Sequence, residues 1–100
     1  MGVRLGDAPK TIDHIVKFKG AGQRLVFAVK FTNLPGKEYQ RLVASGISLG
    51  NLLVELVSTW DAEVPLSAEG FADLEDAFPG VCEGFIQAYH EARRVALEVK

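Results

Sequence analysis

One cysteine, four prolines and no lysine or arginine between Glu55 and Glu83: what this 100-residue sequence has little of already narrows its chemistry. The lone Cys82 cannot close an internal disulfide, which excludes a secreted disulfide scaffold. The longest apolar run, residues 47–57, is interrupted by Asn51 and Glu55 and falls far short of the roughly 20 residues of a membrane span. The opening MGVRLGDAPK lacks the apolar centre of a signal peptide. Gly6 and Asp7 stand where a myristoylation site would want Ser or Thr. No CxxC or HxxxH spacing occurs, and His14 and His90 fall in different elements, so no metal site is expected. Gly20 and Gly22 begin a GxGxxG pattern, but Leu25 takes the third place and no helix follows, so no dinucleotide cofactor is expected. The basic residues match no nucleic-acid reader motif. The expectation is a soluble protein of a reducing compartment that binds neither nucleic acid nor membrane.

What is present is an ordinary globular composition, 48% hydrophobic and 24% charged, which argues against disorder over the whole chain. The length fits one domain. Residues 1–10, with Gly2, Gly6 and Pro9 and no periodicity, read as a flexible arm, and residues 11–100 as a single α+β domain.

In RLVFAVKFT the positions Leu25, Phe27, Val29 and Phe31 are large and apolar, while Arg24, Val26, Ala28, Lys30 and Thr32 are small or polar. Such alternation predicts a strand with one buried face, because successive side chains point to opposite sides of a sheet. Upstream, TIDHIVKFK places Ile12, His14, Val16 and Phe18 on one face. The glycine-rich link of residues 20–23 predicts an antiparallel hairpin. A hairpin is marginal alone, so it must pack on its own helices or join a neighbour's strand through a free edge.

After residue 33 the period becomes helical, and about four helices are expected. Asn33 is placed to cap the first, Pro35 suits its first turn, and Gly46 ends it. The second is predicted over residues 47–60, apolar except for Ser48, Asn51, Glu55 and Ser58, and therefore central to the core. Pro65 prevents it from running on. Ser67 is a natural N-cap for the third, with Glu69 in its first turn and Leu66 and Phe71 placed as a hydrophobic staple. Phe78-Pro79-Gly80 separates it from the fourth, whose stripe is Cys82, Phe85, Ile86, Tyr89, Arg93 and Ala96. Glu83 near its start, and Arg93, Arg94 and Lys100 near its end, suit the helix dipole.

Most of the acidic block Thr59–Gly80 is thus accounted for by helix boundaries. Its carboxylates, Asp61, Glu63, Asp73, Glu75 and Asp76, lie in polar, cap-like surroundings, unlike a general acid whose pKa burial has raised. Cys82 sits on an apolar stripe, where cysteine acts as a small hydrophobe. No catalytic residue is expected, and the chain reads as a non-enzyme.

The charge is unevenly placed. Residues 1–50 hold eight Lys/Arg against three Asp/Glu, or +5, and residues 51–100 hold three against ten, or −7. Two such halves could attract each other in neighbouring copies, a head-to-tail self-association that rising salt should weaken.

The string LLVELVSTWD…VPLSAEGFADLEDAFPGVCEGFIQAYHEA resembles the tail assembly chaperones of long-tailed bacteriophages and prophages. The resemblance rests on the ordered series Trp60, Asp61, Pro65, Leu66, Ser67, Leu74, Pro79, Gly80, Ala88 and Tyr89, and spans about residues 11–92. The connection Asp61–Pro65 is shorter here than is common in that family. The resemblance implies a non-enzymatic role in the host bacterial cytoplasm. Several copies would coat the tape-measure protein and help recruit tail-tube subunits, and the product would be absent from the mature virion. Trp60, Asp61, Phe71, Phe78 and Tyr89 are the candidate interaction residues; for the aromatic ones the alternative is plain core. Two other readings stay open at this point: a structural head–tail connector or tail-completion protein, and a small regulatory or antitoxin-like binder.

Overall fold

The computed structural model describes residues 2–20 and 22–98, so the expectations for Ala21 in the hairpin link and for Lys100 lie outside the described residues. A short 3-10 turn at Leu5–Asp7 precedes two long strands, β1 (Thr11–Gly20) and β2 (Gln23–Thr32). They pair antiparallel in unbroken register from Thr11↔Thr32 to Gly20↔Gln23. Gly22 has a φ of +79°, a left-handed conformation that suits glycine at the tight reversal. Then follow α1 (Gly36–Ala44), α2 (Leu49–Leu56), β3 (Val57–Trp60), α3 (Ala68–Ala77) and α4 (Val81–Arg93). The fold is α+β: an N-terminal antiparallel hairpin, extended by a third strand in the order β1-β2-β3, with four helices following the hairpin.

The alternation forecast for the hairpin holds. Val16, Phe27, Val29 and Phe31 are buried, and the residues between them face out. The covering helix is α4, whose Phe85 ring lies 5.1 Å from that of Phe27 and 5.4 Å from that of Phe18. Close approach is possible because Gly84 has no side chain; a Cβ there would collide with the Phe18 ring. Leu53 and Leu56 of α2 are fully buried, and α2 touches α3, α4 and the sheet.

Four boundaries differ from the sequence reading. The second helix stops at Leu56, and Val57–Trp60 forms β3 along the open edge of β2. Val57, Thr59 and Trp60 are strand-favouring residues, and pairing with β2 satisfies backbone groups that a longer helix would leave open on the sheet. Ser48 is accordingly the N-cap of α2, accepting from the Asn51 N–H, and belongs to no stripe. Asn33 does not cap α1, whose N-cap is Pro35; its amide instead donates to the Pro9 carbonyl (2.7 Å) and its oxygen accepts from Arg93 Nε (2.6 Å). Finally, α4 ends at Arg93, so Ala96 lies beyond the helix and is exposed. Ser67 caps α3 as anticipated, accepting from the Gly70 N–H at 3.1 Å.

Candidate functional site

The Trp-Asp pair closes the sheet. Trp60 pairs with Val29, Thr59 with Lys30 and Val57 with Phe31, leaving Ser58 as a one-residue bulge. The half-buried Trp60 ring lies 4.6 Å from Phe71, and 6.2 Å from Phe85. Where β3 stops, the Asp61 carboxylate continues the ladder by accepting from the Ala28 N–H at 3.0 Å. The aromatic seals one end of the core while the acid satisfies a donor on β2.

Phe71 and Tyr89 are 0% exposed. In this conformation they are core and offer a partner no surface. The Tyr89 hydroxyl donates to the Thr32 carbonyl (3.0 Å) and accepts from the Leu34 N–H (3.1 Å), pinning the segment that leaves the sheet for α1. Burial pushes its pKa up. Tyr39 is stacked beside it at 6.0 Å, and the Tyr39 hydroxyl meets His90 Nε2 at 3.1 Å. Phe78 is half-buried and, with Phe18, Leu25, Pro79 and Val81, lines a shallow groove of about 220 Å³ between the hairpin tip and the α3–α4 connection. Of the five residues named from the sequence, Trp60, Phe71 and Tyr89 share one hydrophobic core, Asp61 lies on the sheet next to it, and Phe78 borders an open groove.

Sequence reasoning missed Glu75. The N-cap of α4 is Gly80, in the left-handed region at φ +98°, and glycine has no side chain with which to cap. Glu75 reaches across from α3 to accept from the Gly80 N–H (2.7 Å) and the Cys82 N–H (3.1 Å), and these bonds hold its carboxyl below the usual range. An acid five residues ahead of a bare glycine cap was the available signal. The buried Cys82 thiol donates to the Phe71 carbonyl (3.5 Å). Burial, with help from the neighbouring Glu75, pushes it up to about 11. Such a thiol stays protonated at neutral pH and is a poor nucleophile. No group of three or more metal-ligating side chains gathers among the described residues.

The accessible apolar surface lies elsewhere. On the outward face of the hairpin Ile15 is 52% and Val26 59% exposed, bordered by Lys17, Lys19 and Arg24. No helix of the described residues is long and apolar enough to cross a membrane. No family model matches the chain, and neither a curated protein nor a solved structure does.

Proposed function

We propose that the chain is a tail assembly chaperone of a long-tailed phage or prophage. It would work in the host cytoplasm by coating the tape-measure protein and recruiting tail-tube subunits, and would be left out of the finished virion. The observation that carries this reading is the ordered series from Trp60-Asp61 through Pro65-Leu66-Ser67 and Pro79-Gly80 to Ala88-Tyr89. The geometry supports it by giving that series a coherent structural role. Trp60 and Tyr89 brace the two ends of the helix-facing core, and Asp61, Ser67 and Gly80 set the element boundaries between them. That bracing holds the hairpin with its other face open. An open face of aliphatic side chains ringed by lysine and arginine suits a client whose helices expose apolar stripes flanked by acids.

The test is co-expression with a tape-measure protein of a long-tailed phage. The reading predicts that the client stays soluble and co-purifies only when the chain is present, and that mass spectrometry of purified particles finds no copy of it. A client equally soluble alone would overturn the chaperone role. Stoichiometric copies in the particle would make the chain a structural virion component instead.

A further inference from the structure

Two features are left without partners among the described residues, and they match each other. The first is the free edge of β1. This strand lies at the margin of the sheet, runs ten residues without bulge or proline, and pairs with β2 alone. Its ladder continues to Lys10, whose carbonyl accepts from the Asn33 N–H, which sets the hydrogen-bonded pairs at the even residues. The N–H and C=O groups of Asp13, Ile15 and Lys17 therefore point away from β2, towards open solvent. Alongside this edge runs a groove of about 300 Å³ between β1 and α4, with His14, Val16, Lys17 and Phe18 on one wall and Gly84, Gln87, Ala88 and Glu91 on the other. An edge of this length, flanked by a helix and an open groove, is a template for an added strand.

The second feature is the segment that follows α4. Arg94 itself is extended, with φ −71° and ψ 126°, and residues 94–98 belong to no helix or strand. Val95 is 94% and Leu97 89% exposed. In Arg94-Val95-Ala96-Leu97-Glu98 apolar side chains alternate with small or charged ones, the pattern of a strand with one face to bury.

We propose that residues 94–98 of one copy add as a strand to the free edge of β1 in a second copy. The charges select the orientation. Aligned parallel, with Ala96 beside Ile15, the segment sets Arg94 next to Asp13 and Glu98 next to Lys17. The antiparallel alignment about the same centre would oppose Arg94 to Lys17 and Glu98 to Asp13, like charges in both places. In the parallel register Val95 and Leu97 fall beside His14 and Val16 on the inward face, along the groove bordered by Gln87, Ala88 and Glu91 of α4. Donor and acceptor are different surfaces, so the contact is heterologous and propagates into rings or open chains. It does not depend on the chain's serving tail assembly.

The test uses full-length chains with the two halves of the contact disabled separately. Val95→Lys with Leu97→Lys removes the donor. Ile15→Pro removes an edge N–H that β2 does not use, a position where an edge strand tolerates proline. Light scattering across a concentration series should show wild type growing into multiples of 10.9 kDa and each variant staying monomeric. A mixture of the two variants should stop at the heterodimer, because one intact donor then meets one intact acceptor. Wild type that stays monomeric, variants that assemble like wild type, or a mixture that remains monomeric would each overturn the proposal. If Ile15→Pro fails to fold, cross-linking decides. Copies carrying Ile15→Cys mixed with copies carrying Ala96→Cys should form a disulfide-linked heterodimer on mild oxidation, while Cys82 stays buried. A yield no greater than that of an Ile15→Cys and Glu63→Cys mixture would refute the register.

Discussion

Val16 and Ile15 are neighbours on β1, yet Val16 is 4% exposed and Ile15 52%; on β2 the same split separates Phe27 at 7% from Val26 at 59%. Both sides of the sheet carry aliphatic side chains, but only one is closed. The inward side meets two ring clusters: Phe18, Phe27, Trp60, Phe71 and Phe85, in successive pairs 4.6 to 6.5 Å apart, and Phe31 with Tyr89 at 5.4 Å. On the outward side Ile15 and Val26 stay more than half exposed. The contacts proposed above with other polypeptides fall on this open side and on the edge of β1. The inward face makes the fold, and the outward face and edge are where the molecule can act.

If that division is right, substitutions on the two sides should separate cleanly. The largest loss is expected for Phe85→Ala, which empties the point where the sheet, Trp60 and Phe71 converge. It should lower unfolding free energy by about 3–5 kcal/mol in urea titration. Tyr89→Phe keeps the ring but removes the hydroxyl's bonds to the Thr32 carbonyl and the Leu34 N–H, which stay bonded to each other at 3.0 Å, for a loss of about 0.5–1.5 kcal/mol in the same measurement. Ser67→Ala, which removes the α3 cap, should cost about 1 kcal/mol.

Glu75→Gln gives a pH-dependent difference. The folded carboxyl titrates below its ordinary value of 4.5, so its contribution is present above that pH and lost as pH falls through the lower folded value. The melting temperatures of wild type and variant should differ most at neutral pH and converge in acid. A gap that widened on acidification would show that the bonds to Gly80 and Cys82 do not hold the charged form. Smallest of all, Val26→Ser on the outward face should change stability by no more than about 0.5 kcal/mol. A loss there comparable to that of Phe85→Ala would erase the distinction between the two sides.

How much of this could be read from residues alone depends on the range of the interaction involved. The hairpin was legible because a two-residue period reports directly on a face, and Ser67 and Gly46 were legible because caps are local chemistry. The end of α2 was not. Leu52, Leu53 and Leu56 continue smoothly into Val57 in any helical reading, and only the open edge of β2, more than twenty residues earlier, turns Val57–Trp60 into a strand. Asn33 was misplaced for the same reason: its partners Pro9 and Arg93 lie 24 and 60 residues away. Among the proposed contact residues, helical spacing marked Phe71 and Tyr89 as apolar-stripe positions but could not distinguish core from contact; their complete burial does. The outward pair Ile15 and Val26 went unweighted because the alternation that identifies a strand treats its second face as solvent.

Amide exchange followed residue by residue tests the division most directly. In dilute chain the amides of Ile12, His14, Val16 and Phe18, bonded to β2, should exchange slowly, and those of Asp13, Ile15 and Lys17 fast. As concentration rises and the scattering mass grows, Ile15 and Lys17, whose N–H groups meet the Val95 and Leu97 carbonyls in the parallel register, should slow while the first set stays unchanged. Slow exchange of Asp13, Ile15 and Lys17 in the monomer, or fast exchange of Ile15 and Lys17 that persists after the mass has risen, would contradict an account in which the molecule works through the open edge of its sheet.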